Sequence, residues 1–232
     1  MKTLLVVAAR GGSKGVKNKN LLKISGKSLT YITLNKVSKY KNINKIVLTS
    51  DSTKILNQAN RFKNIEKIKR PKELASDKAN IFAVVRHALS ILEKKNIWSP
   101  DIILLTTPTT PFKNFTHFQR CIKIMSTKKV GSAITIREPN YPTHWMLIKK
   151  KKFIKNIFHN GNRFKRRQDV PKTYQPAGTV YAFNKKTLYY LINKKKILPL
   201  KNTAGVIVKR EESVNIDTLE DLKIAKFYSK KK

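Results

Sequence analysis

Acidic residues are scarce in this 232-residue chain: thirteen Asp and Glu face fifty-one Lys and Arg, a formal net charge of +38. Any carboxylate beside a glycine loop or a strand end is therefore a candidate for chemistry. Cysteine is nearly absent, and Cys121 alone excludes an intramolecular disulfide and suits a reducing cytoplasm. No apolar run reaches the ~18 residues of a membrane span, so no membrane segment is expected. The opening Met1 to Arg10 has the look of a signal peptide. Its apolar stretch is short, however, and passes into a glycine loop without a cleavage pattern, so it reads as a buried first strand. Arginine is also a minority among the cations, ten of the fifty-one. The lysines are scattered, with no basic stripe and no interleaved aromatics, so nucleic acid is not expected as a partner. A basic, non-enzymatic nucleic-acid-binding protein is thus the weaker alternative. The positive field would still draw anionic small molecules.

The hydrophobic fraction of 40% is enough for one core. Residues 3–9 form a continuous apolar run, as in a strand buried on both faces. Further strands are expected at 45–49, 101–106, 132–136, 179–183 and 204–208. Helices are expected at 28–40, 53–62, 78–95, 115–125, 186–193 and 219–228. This alternation implies an α/β fold, a three-layer Rossmann-like architecture with a mostly parallel sheet. The chain reads as one domain over 1–232. Residues 139–175 break the alternation, carry Tyr141, Trp145 and Phe153, and include a hairpin-like turn at His159-Asn160-Gly161-Asn162, so they read as an inserted β-rich arm. In such sheets ligands bind at the carboxyl ends of the strands. Arg10, Asp51 and Thr107 each follow a predicted strand and should line one crevice.

The segment Arg10-Gly11-Gly12-Ser13-Lys14-Gly15, followed by Lys19-Asn20, has the chemistry of a phosphate loop. Glycines allow close backbone approach, Arg10 offers a bidentate fork, and Lys14 and Lys19 offer point charges. The pattern fits neither a Walker A loop nor a Gly-x-Gly-x-x-Gly loop. Asp217, in Asn215-Ile216-Asp217-Thr218-Leu219, has two readings: a hard Mg²⁺ ligand or the N-cap of the last helix. Asp51 likewise reads as a site residue or a cap. His87 and Cys121 read as structural, and His117, His144 and His159 lack metal-ligand spacing.

Six further blocks accompany the glycine loop: Leu48-Thr49-Ser50-Asp51; Arg70-Pro71 with Leu74-Ala75 and Asp77; Pro108-Thr109-Thr110-Pro111-Phe112; Arg166-Arg167-Gln168-Asp169 with Pro171; Gly178-Thr179-Val180-Tyr181; and Ile216-Asp217-Thr218 with Asp221. In order and spacing, the set resembles the CMP-acylneuraminate cytidylyltransferases, also called CMP-sialic acid synthetases. The resemblance implies transfer of CMP from CTP to a sialic-acid-type, nine-carbon acidic sugar, with release of pyrophosphate, for cell-surface glycan synthesis. An octulosonate as acceptor is the alternative, but that sister family carries Tyr in place of the first glycine. The resemblance further implies that Arg10, Lys19 and Asp217 are catalytic. Arg10, Gly11, Gly12, Ser13, Lys14, Asn20 and Arg70 would bind CTP. Thr107, Arg166, Gln168 and Tyr181 would bind the sugar. Asp217 and Asn215 would hold Mg²⁺, and the arm would make a homodimer. The chain departs from the family pattern at Asn215, where the family has a first aspartate, and at Thr107, where it has Gln. Asn80-Ile81 and Ala177-Gly178-Thr179 also differ.

Overall fold

In a computed structural model, the described residues are 1–12, 16–76, 78–96, 98–127, 129–159 and 163–230. Ser13 and Lys14, the first aspartate after Leu74-Ala75 (Asp77) and the 160–162 turn lie outside them.

Strands β1 (Thr3–Ala8), β4 (Lys45–Ser50), β5 (Ile65–Lys69), β6 (Ile102–Thr106), β7 (Ser132–Arg137), β10 (Gln175–Phe183) and β11 (Thr203–Ile207) form a seven-stranded sheet in the order β11-β7-β10-β6-β1-β4-β5. Only β10 runs antiparallel to its neighbours. The helices are α1 (Leu29–Val37), α2 (Thr53–Leu56), α3 (Ile81–Asn96), α4 (Phe115–Met125), α5 (Lys185–Asn193) and α6 (Leu219–Lys230). Two small ribbons complete the set: β2 (Lys23–Ile24) with β3 (Lys27–Ser28), and β8 (Leu147–Lys150) with β9 (Phe153–Asn156).

Alternation along β1 explains the three layers. Leu5 and Val7 join the core of α1, α2 and α4 through Leu34, Ile55 and Phe118. Leu4 and Val6 face the opposite way, toward Val85, Leu89 and Leu92 of α3 and Leu188 and Leu191 of α5. A strand covered on both faces must be apolar throughout, and every residue of β1 is buried.

Several expectations need correction. The strand at Ile65–Lys69 was missed, because its alternation is masked by three charged residues at an edge, where Glu66, Lys67 and Lys69 face water. The expected helix at 53–62 is a single α-turn followed by a 3₁₀ segment over Asn57–Arg61. The expected helix at 78–95 starts only at Ile81, because the Asn80 side chain accepts the Phe82 amide at 2.8 Å and its carbonyl accepts the Ala83 amide. Ser28 likewise precedes α1 as its cap rather than lying inside it. In the arm, the described hairpin turns at Lys151-Lys152, between β8 and β9.

Two lysines shape the loop after β6. Lys113 is fully buried, and its Nζ donates to the Thr107 carbonyl at 2.7 Å and to Thr33 Oγ1 at 3.3 Å. Lys36 donates to the carbonyls of Pro111 and Lys113 at 2.9 and 3.0 Å. The turn carrying Thr107 is thus held from beneath. Burial, reinforced by the charge of Lys36, holds the Lys113 amine well below its ordinary 10.5. Between the lowered folded value and 10.5, the unfolded chain binds a proton that folded Lys113 releases, so stability rises with pH through that window and levels off above it. Urea midpoints should therefore climb more steeply from pH 7 to pH 10 in wild type than in Lys113→Met. Parallel curves would show that Lys113 titrates normally.

Candidate functional site

The carboxyl ends of β6, β1 and β4 lie side by side, and the loops that leave them meet. After β1, the chain turns at Arg10-Gly11. The Gly11 amide donates to Asp51 Oδ1 at 2.9 Å. A Cβ at Gly11 would stand 2.9 Å from the Ser52 Cβ and 3.2 Å from Asp51 Oδ2, so only glycine permits this approach. Asp51 is therefore a brace for the loop and not a helix cap; Ser52 occupies the cap position of α2. One consequence falls on the expected phosphate cradle: the Gly11 N–H is already engaged. Gly12 is open, with nothing within 4 Å of a Cβ.

Asn18 adopts a left-handed conformation (φ 55°) and opens a 3₁₀ turn over Lys19–Leu21. This turn buries Asn20 and sends Lys19 outward. Asn20 Nδ2 donates to the Arg10 carbonyl at 2.8 Å, and its own carbonyl accepts from Thr30 Oγ1 at 2.8 Å. Arg70 follows β5 and is 4% exposed. Its Nη2 donates to the Thr49 carbonyl at 2.9 Å. Burial lowers the Arg70 guanidinium to about 10, with Asp51 opposing and Arg10 reinforcing the shift. Arg10, Asp51 and Arg70 thus form one electrostatic cluster. Two buried side-chain atoms in it, Asn20 Oδ1 and Arg70 Nε, have no hydrogen-bond partner among the described residues. One is an acceptor and the other a donor, and each is costly to leave unpaired.

The far end of the chain closes the site. Lys19 Nζ donates to Asp217 Oδ1 at 2.7 Å, joining residues 198 positions apart. Asn215 Nδ2 donates to the other oxygen of the same carboxylate. The Ile216 amide donates to the Thr109 carbonyl at 2.9 Å, which docks this segment on the turn after β6. Thr107 and Thr109 share a 3.0 Å hydroxyl contact there.

The structure overturns the capping reading of Asp217. The cap of α6 is Thr218, whose Oγ1 accepts the Asp221 amide at 3.1 Å while the Asp221 carboxylate accepts the Thr218 amide at 2.8 Å. This reciprocal pair is a capping box. Asp217 lies outside it, with a side chain 61% exposed.

Beside Asp217 opens a cavity of about 470 Å³, lined by Tyr181, Gln175, Asn215, Asp217, Arg137 and Arg210, among others. A bulge in β10 between Pro176 and Tyr181 shapes its wall, and Gly178 within it has φ 69°. Of the residues expected to bind sugar, Tyr181 lines this cavity and Thr107 lies on the adjoining turn. Arg166 and Gln168 do not: Arg166 pairs with Asp169 at 3.2 Å, and Gln168 borders a separate hollow with Pro139 and Pro171. Sequence reasoning missed Arg137, Gln175, Arg210 and Lys113. Arg137 had a usable signal, since it ends a strand just as Arg10, Asp51 and Thr107 follow theirs.

A family model described as cytidylyltransferase matches residues 4–231. The chain is 28% identical to an N-acylneuraminate cytidylyltransferase of Escherichia coli over 100% of its own length and 53% of that protein. It is 25% identical to a pseudaminic acid cytidylyltransferase of Campylobacter jejuni over 99% of this chain and 97% of that one. The chain therefore spans about half the length of the curated N-acylneuraminate relatives and nearly all of the Campylobacter one. Its fold is similar to that of a CMP:2-keto-3-deoxy-manno-octonic acid synthetase solved with CTP, with a TM-score of 0.70, 13% identity and coverage of 100% and 99% of the two chains.

The roles of Thr218 and Asp217 can be separated by thermal unfolding. Thr218→Ala should cost about 1 kcal/mol, a fall of roughly 2–4 °C for a chain of this size. Asp217→Ala should cost less than Thr218→Ala, because the Asp217 side chain is largely exposed and lies outside the cap. A large loss in Asp217→Ala would restore the capping role.

Proposed function

The chain belongs to the cytidylyltransferase family, whose model it matches from residue 4 to residue 231, and from that premise we propose that it transfers CMP from CTP to an acidic nonulosonic sugar. The sugar hydroxyl oxygen attacks the α-phosphorus of CTP and loses its proton. The bond from the α-phosphorus to the bridging oxygen breaks, and pyrophosphate leaves. The observation that carries this reading is the Lys19–Asp217 contact, which joins a cation just after the glycine loop to a carboxylate on the wall of a cavity of about 470 Å³.

Phosphoryl-type transfer needs positioning and charge neutralisation more than covalent catalysis. Arg10 and Lys19 would meet the triphosphate, and Lys19 would stabilise the charge that builds on departing pyrophosphate. Asn20 and Arg70 would read the base. Their unpaired acceptor and donor complement the exocyclic amine of cytosine and its ring acceptors. A uracil would instead set its O4 carbonyl against the Asn20 oxygen.

Mg²⁺ fits the donor set at the proposed site. Among the described residues there is no cluster of three or more His, Cys, Asp or Glu. Mg²⁺ in nucleotide enzymes commonly takes one or two carboxylates and completes its shell with phosphate oxygens and water. Asp217, with the Asn215 carbonyl oxygen, would hold it, and the ion would supply neutralisation of phosphate charge. Lys19 now sits on the carboxylate, so Lys19 would turn from Asp217 to the phosphates when CTP binds.

The arm supports a homodimer. Leu147, Ile148, Phe153 and Ile154 are between 49% and 69% exposed on its two strands. Such a contiguous apolar ribbon is best covered by a second copy about a two-fold axis. The same pairing would bring Arg166 and Gln168 toward a neighbour's cavity. No helix among the described residues is long and apolar enough to cross a membrane, and the lone buried Cys121 needs no oxidising compartment. Both features suit a cytoplasmic enzyme.

Turnover should be fastest with CTP, since a wrong base leaves buried groups unpaired; equal rates with CTP, UTP, ATP and GTP would sink the assignment. Lys19→Ala should lower kcat on the order of 10²-fold while weakening CTP binding far less. Asp217→Ala should slow the reaction and raise the Mg²⁺ requirement. Normal activity of that variant at low Mg²⁺ would move the metal elsewhere. For assembly, Phe153→Lys with Ile154→Lys should convert a dimer to a monomer in sedimentation, and a monomeric wild type at micromolar concentration would refute the pairing.

A further inference from the structure

One wall of the Tyr181 cavity is not used by the chemistry above. Arg137 ends β7 at the carboxyl edge of the sheet and is half-buried. Its guanidinium is held by neutral acceptors. Nη1 donates to Asn140 Oδ1 at 3.1 Å and to the Glu138 carbonyl at 3.4 Å. The Gln175 amide, oriented by the donors around it, accepts from Nη2 at 2.6 Å and Nε at 3.2 Å. These contacts fix the guanidinium in place without cancelling its charge.

Arg210 lines the same cavity, after β11. No side-chain hydrogen bond or ion pair engages it among the described residues. The two cations feel each other: Arg137 is lowered first by burial and then by Arg210. The carboxylates of the cavity wall are committed elsewhere, Asp217 to Lys19 and Asp221 to the α6 cap. Two like charges thus line a cavity of about 470 Å³ whose two described carboxylates, Asp217 and Asp221, are bonded to other partners. That arrangement is unfavourable alone and favourable around an anion.

We infer that Arg137 and Arg210 form a clamp for the carboxylate of the acceptor sugar. This rests on the proposed cytidylyl transfer to an acidic sugar. The alternative anion, the triphosphate, has its own cations, Arg10 and Lys19, on the loop side of Asp217. A carboxylate is planar and small, and the guanidinium fork of Arg210 matches it with two parallel hydrogen bonds. Arg137, whose Nε, Nη1 and part of Nη2 are taken by Gln175, Asn140 and Glu138, adds its remaining Nη2 hydrogen and a fixed charge. Arg137 supplies a rigid half of the clamp, and Arg210, on the exposed loop after β11, a half that closes on the ligand. Tyr181 and the β10 bulge then face the body of the sugar.

The test is steady-state kinetics with CTP and three acceptors: N-acetylneuraminate, pseudaminate and N,N'-diacetyllegionaminate. With whichever acid wild type turns over, Arg210→Met and Arg137→Lys should each raise the sugar KM about tenfold or more while the CTP KM stays within about twofold. The C1 amide of the same sugar separates recognition from packing. Wild type should prefer the acid over the amide by a similar factor, and the variants should lose that preference. Arg210 is exposed, so Arg210→Met leaves folding intact even if Arg137→Lys does not. An unchanged sugar KM in Arg210→Met, or a rise confined to the CTP KM, would overturn the clamp while leaving cytidylyl transfer standing. Absence of turnover with all three acids would instead overturn the proposed function, and the clamp with it.

Discussion

The contact between Lys19 and Asp217 closes this site, because it joins the turn after the glycine loop to the approach to the last helix. Lys19 comes from a three-residue 3₁₀ turn after the glycine loop, and Asp217 from the approach to the last helix. Their Nζ–Oδ1 distance of 2.7 Å brings two residues from opposite ends of the chain, 198 positions apart, to one point. As a source of stability this pair, with its carboxylate largely in water, counts for little. Its value is geometric. The segment around Asp217 is docked independently, by Ile216 on the Thr109 carbonyl and by the Thr218–Asp221 capping box. Lys19 is fixed by the buried Asn20 beside it. The ion pair therefore joins two positions that the fold has already set.

The same division of labour recurs at the other loops. The Asp51 carboxylate accepts the Gly11 amide, so the glycine-loop turn is braced by a residue that need not touch ligand. The buried Lys113 amine donates to the Thr107 carbonyl and so holds the turn after β6. A fully buried polar group is costly unless it is hydrogen-bonded. Its place beneath this turn, with Lys36 bonding the carbonyls of Pro111 and Lys113, is understandable if the turn must hold one shape. The sheet supplies the ends of the strands, and these polar braces convert them into a surface with fixed donors and acceptors.

Much of this was legible in the residues. The apolar run of β1, the alternation of strand and helix, and the position of Arg10, Asp51 and Thr107 after strands all depend on local patterns that survive folding. What was not legible depends on pairing. Strand β5 lies at the sheet edge, where Glu66, Lys67 and Lys69 hide its alternation. The cap of α6 lay one residue from where it was sought, since Asp and Thr are both good caps and only the Thr218–Asp221 geometry distinguishes them. Arg137 and Arg210 are seventy-three positions apart, and only the parallel pairing of β7 with β11 brings their loops together. Lys113 carries no sequence signal of burial at all, because lysine is common everywhere in this chain.

The substitution at Asn215 acquires a meaning from these contacts. Its amide donates to the Asp217 carboxylate, and Lys19 takes the other oxygen. The cluster then holds one cation, Lys19, two carboxylates, Asp217 and the cap residue Asp221, and one neutral amide. An aspartate at 215 would add a negative charge beside Asp217 and would attract a divalent cation before any nucleotide arrived. With asparagine, the protein alone offers a metal a single carboxylate that already has a cationic partner. On the proposed reading, the missing charge must come from the triphosphate, so metal and nucleotide enter as one unit. CTP would then do two things at once. Its phosphates would draw Lys19 off Asp217, and the freed carboxylate would face the incoming Mg²⁺. On that reading the metal site would be completed by the substrate.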